Sequence, residues 1–243
     1  MEQIFFKIIF IFHNNIYNLY IIMKYKYKCC LCLLIIILLI LFYNSCRKRY
    51  YIIKNNFLDK NFIDDIYNTI ISDKKWIYTT NIGNTKIKHN KDIIKRKNKA
   101  NEMYKQNLFS YSKYEYENDA NILKEIKNVL ISKTVLDNIS YLTGEKITKI
   151  MDIFISKYEK GDFLSKHTDN TLGKYAFMIY LNKDWNIKCG GNLNIIKNNK
   201  QIDTIIPEYN KLILMDVYSE LREHFIDEVK CNKNRYAITG WFA

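Results

Sequence analysis

Residues 235–242 read Arg235-Tyr236-Ala237-Ile238-Thr239-Gly240-Trp241-Phe242. Arg235, Ala237, Thr239 and Trp241 fall at every second position, so on an extended strand they share one face. Upstream, short β-like runs occupy 148–157, 175–182, 192–197, 202–206, 211–217 and 224–229. The breaks between them carry Gly161, Gly173, Gly190-Gly191, Pro207 and Asn232. Seven or eight short strands at this spacing predict a jelly roll. Further upstream, Phe62, Ile63, Ile66, Tyr67, Ile70 and Ile71 recur three and four apart over 60–73, which predicts an amphipathic helix. Ile122, Ile126, Leu130, Val135, Ile139 and Leu142 predict a second helix over 119–142, stopping at Gly144. The expected fold class is α+β, a double-stranded β-helix with supporting helices packed outside one sheet.

A cation on the same face as Ala237 and Trp241 is expensive unless it is paired, so Arg235 calls for an anion: a bound dicarboxylate or an internal acid. Tyr180 shares a face with Ala176 and Met178, where its hydroxyl can be a second donor or an ordinary core tyrosine. His167 and Asp169 are two apart, so on a strand both point to one side and can grip one ion. His224 supplies a second imidazole eleven residues before Arg235. A His-x-Asp alone is common by chance, and His224 alone reads as a surface residue between Glu223 and Asp227. Taken together, two imidazoles and one carboxylate with open positions suit a non-haem Fe(II) oxygenase.

Residues 158–243 resemble the catalytic core of the 2-oxoglutarate/Fe(II)-dependent prolyl hydroxylases. His167-Thr168-Asp169-Asn170, Tyr180-Leu181-Asn182-Lys183-Asp184-Trp185, Gly190-Gly191-Asn192-Leu193 and Arg235-Tyr236-Ala237-Ile238-Thr239 are similar to segments of the hypoxia-factor prolyl hydroxylases. Leu142-Thr143-Gly144 and Gly240-Trp241-Phe242 are similar to pieces of the ribosomal-protein prolyl hydroxylases. The resemblance implies that His167, Asp169 and His224 bind Fe(II) and that Arg235 and Tyr180 hold the distal carboxylate of 2-oxoglutarate. It implies that Tyr158 and Trp241 line the pocket beside the metal. The implied reaction uses O2, converts 2-oxoglutarate to succinate and CO2, and hydroxylates a proline-containing protein or peptide, with L-ascorbate as reductant. Related halogenases lack the carboxylate that Asp169 provides, so hydroxylation is expected. Two other readings stand beside it. A nucleic-acid demethylase would use the same chemistry, although AlkB-type enzymes resemble a pattern with a second Arg where Trp241 stands. A catalytically inactive membrane-bound binding module is the third.

Across 243 residues the net charge is +13. Residues 1–56 hold eight Lys/Arg against one Glu, and residues 86–105 eight against two acids, while the remainder is balanced. The presumed catalytic part is therefore not basic, and nucleic acid is not the expected partner. The 86–105 stretch, with Lys95-Arg96-Lys97, reads as a solvated loop or frayed helix, with contact to an anionic partner or lipid surface as the alternative. Cys29 to Cys46 is eighteen residues without a charge, long enough to span a bilayer. Lys24, Lys26 and Lys28 precede it and Arg47, Lys48 and Arg49 follow, so charge does not fix its orientation. Met23 before Lys24-Tyr25-Lys26 resembles a signal-anchor start.

The expected organisation is a basic segment 1–28, a transmembrane anchor 29–46, a basic linker 47–57, a helical support region 58–146 with a basic insertion 80–118, and an oxygenase core 147–243. A lumenal, endoplasmic-reticulum placement is expected of such an anchor. Cys189 and Cys231 alone do not establish a disulfide.

Overall fold

The computed structural model describes residues 51–117, 121–169, 172–219 and 223–243. The expected anchor at 29–46 lies outside the described residues. Among those described, no helix is long and apolar enough to cross a membrane.

The described residues centre on eight strands wound as two facing antiparallel layers. These are β5 (Ile150–Tyr158), β6 (Phe163–His167), β7 (Tyr175–Tyr180), β8 (Leu193–Lys197), β9 (Lys200–Ile205), β10 (Lys211–Asp216), β11 (His224–Ile226) and β12 (Arg235–Phe242). One layer runs β10-β7-β12-β5 and the other β6-β11-β8-β9. Sequential strands alternate between the layers except for the β8–β9 hairpin, which lies within the second, and this winding is a double-stranded β-helix, as the β-runs predicted. Strand β1 (Tyr51–Asn55) extends the first layer by pairing β10, so part of the expected 47–57 linker is a strand.

The 80–118 insertion is built of regular elements. It contains the end of β2 (Trp76–Ile82), then β3 (Thr85–Lys88), a helix α2 (Ile93–Lys105) and β4 (Tyr111–Tyr116). Strand β4 pairs β2, β5 and β6, and so joins the two layers at one edge. The short polar strands escaped the periodicity because half their positions carry Lys, Asn or Tyr. In α2, Arg96 is buried and donates to the carbonyls of Lys91, Ile87 and His89, which ties the helix to the end of β3. Lys97 pairs at 2.8 Å with the fully buried Asp162, whose other oxygen accepts from the Glu159 N–H. These two cations anchor the helix, which corrects the expectation of a solvated loop or frayed helix.

Three further helices cover the outer face of the first layer. Helix α1 (Lys60–Ser72) starts at Asp59, whose carboxylate accepts from the Asn61 and Phe62 N–H groups, and it buries Ile63, Ile66 and Ile70. The single helix expected over 119–142 is two: α3 (Asn121–Leu130) and α4 (Lys133–Thr143). Ser132 breaks it by capping the Val135 N–H, and Gly144 ends α4 at φ +73°, as its position predicted. These helices pack on Phe177, Ile179, Leu212, Leu214 and Ile238, while Ala176, Met178, Tyr180, Ile213, Ala237 and Trp241 point between the layers. The period-two alternation of β7 thus has both faces buried, one as core and one as pocket.

Two details close the far end of the barrel. Asn182 donates to the carbonyls of Pro207 (2.8 Å) and Tyr236 (3.0 Å) and accepts from the Tyr236 N–H (2.6 Å), locking the exit of β7 to the start of β12. Cys189 and Cys231 form a disulfide between the β7–β8 and β11–β12 loops.

Candidate metal centre

Antiparallel pairing of β11 with β6 sets His224 directly opposite His167, with ring centroids 4.3 Å apart. Asp169 does not lie on that strand, contrary to the expectation. β6 ends at His167, and the chain turns so that the carboxylate faces both rings. Its oxygens stand 3.5 Å from His167 Nε2 and 3.6 Å from His224 Nε2. The three ligand atoms lie within 4.8 Å of one another. Those separations are long for direct hydrogen bonds and suit groups facing a common ion.

The Ser165 carbonyl lies 3.0 Å from His167 Nδ1 and accepts a hydrogen bond from it, which turns Nε2 toward the centre. Burial by itself would raise the Asp169 carboxyl, but the neighbouring His167 and His224 outweigh it and hold the group below the usual carboxylate range. The acid is therefore ionised and able to bind a cation. His224 is buried; His167 and Asp169 are half-buried at the wall of a cavity of about 400 Å³.

Arg235 begins β12 opposite Tyr158 and is fully buried. Its Nε donates to the Gly191 carbonyl at 2.7 Å, and its Nη2 has no hydrogen-bond partner. No carboxylate among the described residues pairs with it, so the internal salt bridge allowed by the sequence is not seen there. The guanidinium lies 4.9 Å from the Tyr158 ring centre and 5.1 Å from that of Tyr180. Glycine is required beside it. At Gly191, where φ is +67°, a Cβ would come within 2.9 Å of Arg235 Cδ. A buried guanidinium with Nη2 unpaired fits an anionic group that completes the site.

Tyr158 and Trp241 line the cavity with the three ligand residues. Trp241 Nε1 is also buried without a partner. Tyr180 and Arg235 are not in the cavity wall. They sit deeper on the same strand faces, behind Met178 and Ala237, and the Tyr180 hydroxyl contacts Met178 Sδ at 3.7 Å. Burial raises the Tyr180 hydroxyl pKa, only partly opposed by Arg235, so it remains a donor at neutral pH.

The sequence reading missed the opposite wall: Lys86, Lys88, Lys113 and Glu115. The signal was the alternation of Tyr111, Lys113 and Glu115 with Ser112, Tyr114 and Tyr116.

Residues 153–243 match the family described as the 2OG-Fe(II) oxygenase superfamily. The prolyl 3-hydroxylase OGFOD1 of Xenopus laevis is 30% identical over 112 residues, 43% of this chain and 22% of that protein. The chain thus spans about a fifth of the length of the curated relatives it matches. An oxidoreductase of the 2OG-Fe(II) oxygenase family from Burkholderia pseudomallei superposes with a TM-score of 0.57 at 11% identity, over 82% of this chain and 88% of that one. A prolyl hydroxylase from Trichoplax adhaerens, in complex with a hypoxia inducible factor oxygen degradation domain peptide fragment, gives 0.54 at 20% identity, over 82% and 86%. At such identities these structures establish a shared fold.

Proposed function

We propose that this chain, whose residues 153–243 are a 2OG-Fe(II) oxygenase superfamily domain, hydroxylates prolyl residues of a protein or peptide. The observation that carries the proposal is a three-residue ligand set together with a buried arginine, one nitrogen of it unpaired, on the same strand face as the cavity residues Thr239 and Trp241. The curated relatives named as prolyl 3-hydroxylases support proline as the target.

In this reading His167, Asp169 and His224 hold Fe(II). Arg235 Nη2 and the Tyr180 hydroxyl take the distal carboxylate of 2-oxoglutarate, after the flexible Met178 side chain moves aside. Fe(II) and 2-oxoglutarate, when bound there, would supply the reduction of O2, one oxygen atom leaving in succinate with release of CO2 and the other entering the substrate C–H as hydroxyl. Tyr158 and Trp241 form an apolar wall that keeps bulk water from the reacting carbon. Asp169, held ionised, would be one of the three residues that hold the metal, and its carboxylate favours hydroxylation as the outcome. L-Ascorbate would restore the metal's reduced state after unproductive turnovers.

Succinate formation by the full chain in detergent, with Fe(II), O2 and proline peptides, tests this. His224→Ala should abolish succinate, and Arg235→Ala should need far more 2-oxoglutarate. A His224→Ala protein that still turns over would remove the proposal.

We also read residues 29–46 as an anchor and place the folded domain on the lumenal side. The Cys189–Cys231 disulfide supports an oxidising compartment. Asn138-Ile139-Ser140 is a glycosylation acceptor, and Asn138 is exposed on α4. A glycosidase-sensitive mass shift lost in Asn138→Gln would support that side. Protease digestion of residues 51–243 in sealed microsomes would refute it.

A further inference from the structure

The basic stretch 86–105 divides by what its cations do. Arg96 is occupied by backbone carbonyls and Lys97 by Asp162, while Lys91, Lys95, Lys99 and Lys105 are exposed. Lys86 and Lys88, two apart on β3, turn instead to the cavity that holds His167, Asp169 and His224. There they meet Lys113 of β4, and all three ammonium groups converge on one carboxylate. Glu115 lies 3.1 Å from Lys86 Nζ, 3.4 Å from Lys88 Nζ and 3.2 Å from Lys113 Nζ.

Three cations on one carboxylate is an unbalanced arrangement. Lys113 and Glu115 have side chains only 8% and 6% exposed, and either would be expensive to bury alone. One lysine would neutralise Glu115; the second and third repel that lysine and each other, and burial, with Lys86 beside it, pulls the Lys113 pKa down against the hold of Glu115. Lys113 Nζ lies 4.1 Å from the Phe154 ring centre, a contact that offsets part of the expense. Lys88 and Lys86 are 28% and 52% exposed, so they carry the excess charge to the mouth. The metal centre does not absorb it. Fe(II) with Asp169, and a 2-oxoglutarate dianion with Arg235, sum to zero. Among the described residues that line the cavity, Asp152, itself exposed, is the one acid besides Glu115 and Asp169.

We propose that Lys86 and Lys88, backed by Lys113, form a carboxylate-binding subsite that selects a peptide with a Glu or Asp side chain close in sequence to the residue being oxidised. This rests on the oxygenase reading of the neighbouring centre. Glu115 holds the two β3 ammonium groups in place between substrates, and an incoming carboxylate shares them. The purely structural alternative, a latch between β3 and β4, predicts no discrimination between peptides that differ only in that charge.

The test is fluorescence anisotropy of labelled proline peptides on the full chain loaded with Mn(II) and 2-oxoglutarate without O2. The peptides are identical but for Glu, Gln or Lys at one position flanking the proline. The Glu peptide should bind roughly tenfold tighter than the Gln peptide, and raised salt should erode the difference. Lys86→Glu/Lys88→Glu should reverse the order in favour of the Lys peptide, a gain that a misfolded variant cannot show. Equal affinities at low salt, or a Glu preference untouched in the variant, would overturn the inference. So would tighter binding of a single-stranded oligonucleotide competing for the same site, which would assign the lysines to phosphate. A proline-free Glu peptide separates the two claims. If it binds with the same Lys86/Lys88 dependence but no peptide is hydroxylated, the subsite stands and the prolyl reading falls. Hydroxylation without charge preference is the converse.

Discussion

Arg235→Met offers a measurement whose two halves move in opposite directions. The guanidinium is fully buried, has one bond to the Gly191 carbonyl and leaves Nη2 unpaired. Without 2-oxoglutarate, removing an uncompensated buried charge relieves desolvation, which offsets the roughly 1 kcal/mol lost with the Gly191 bond. The ligand-free variant should therefore melt at the wild-type temperature or above it. With ligand, the lost carboxylate partner costs about 3 kcal/mol, a rise of roughly 150-fold in Kd. At a 2-oxoglutarate concentration of about 100 times the wild-type Kd, linkage stabilises the wild type by about 2.7 kcal/mol. For a domain this size that is roughly 5–10 °C in Tm. The variant should gain only about 0.3 kcal/mol, roughly 1 °C, at the same concentration. Thermal melts with Mn(II) under nitrogen, with and without 2-oxoglutarate, read both quantities. A variant that melts well below the wild type yet keeps the full ligand shift would show Arg235 to be structural, and the assignment of the cosubstrate pocket would fail with it.

Gly240→Ala places a Cβ 2.3 Å from the Asp152 carbonyl and 2.7 Å from the Phe177 ring, so melts should show a loss of about 2 kcal/mol or more; an unchanged Tm would contradict that packing. Cys189→Ser/Cys231→Ser should cost about 2–4 kcal/mol and raise the KM for 2-oxoglutarate, because the loop from Cys189 carries Gly191 to Arg235; a lower Tm with unmoved KM would free Arg235 from dependence on the bridge. Burial alone would raise the Glu115 carboxyl, but Lys113 and Lys86 dominate and bring it down to about 2. Its stabilising contribution is therefore complete above its unfolded pKa of about 4.5 and lost as pH falls toward 2. Wild type minus Glu115→Gln stability, by urea unfolding from pH 7 to 2, should shrink across that window, and a pH-independent difference would deny the coupling.

The core strands were legible because β7 and β10 are dense in Ile, Leu, Phe and Met, while β12 alternates Arg235, Ala237, Thr239 and Trp241 with Tyr236, Ile238 and Phe242. Their burial pattern is written in residue type. Strand β6 was not. Phe163-Leu164-Ser165-Lys166-His167 has only two apolar residues, and its place is fixed by pairing to β11 and β4, a long-range fact. The same holds for β1, which is a strand because β10 offers it an edge. The break between α3 and α4 was missed because apolar spacing continues across it, while Ser132, a single capping side chain, decides the geometry.

The site shows the same division at finer scale. His167, Asp169, His224 and Arg235 stood out because His is rare in this chain and a charge among Ala and Trp breaks a local rule. Lys113 and Glu115 break that rule equally, on a strand with Tyr111 beside them, yet they lay in a lysine-rich stretch where one more charge carries no information. Only the pairing of β4 with β2, and of β2 with β3, brings Lys86 and Lys88 onto Glu115. A ligand set can be read from residues whose chemistry is uncommon. A specificity wall built from the commonest cations in the chain becomes visible only when strand register counts three of them against one carboxylate.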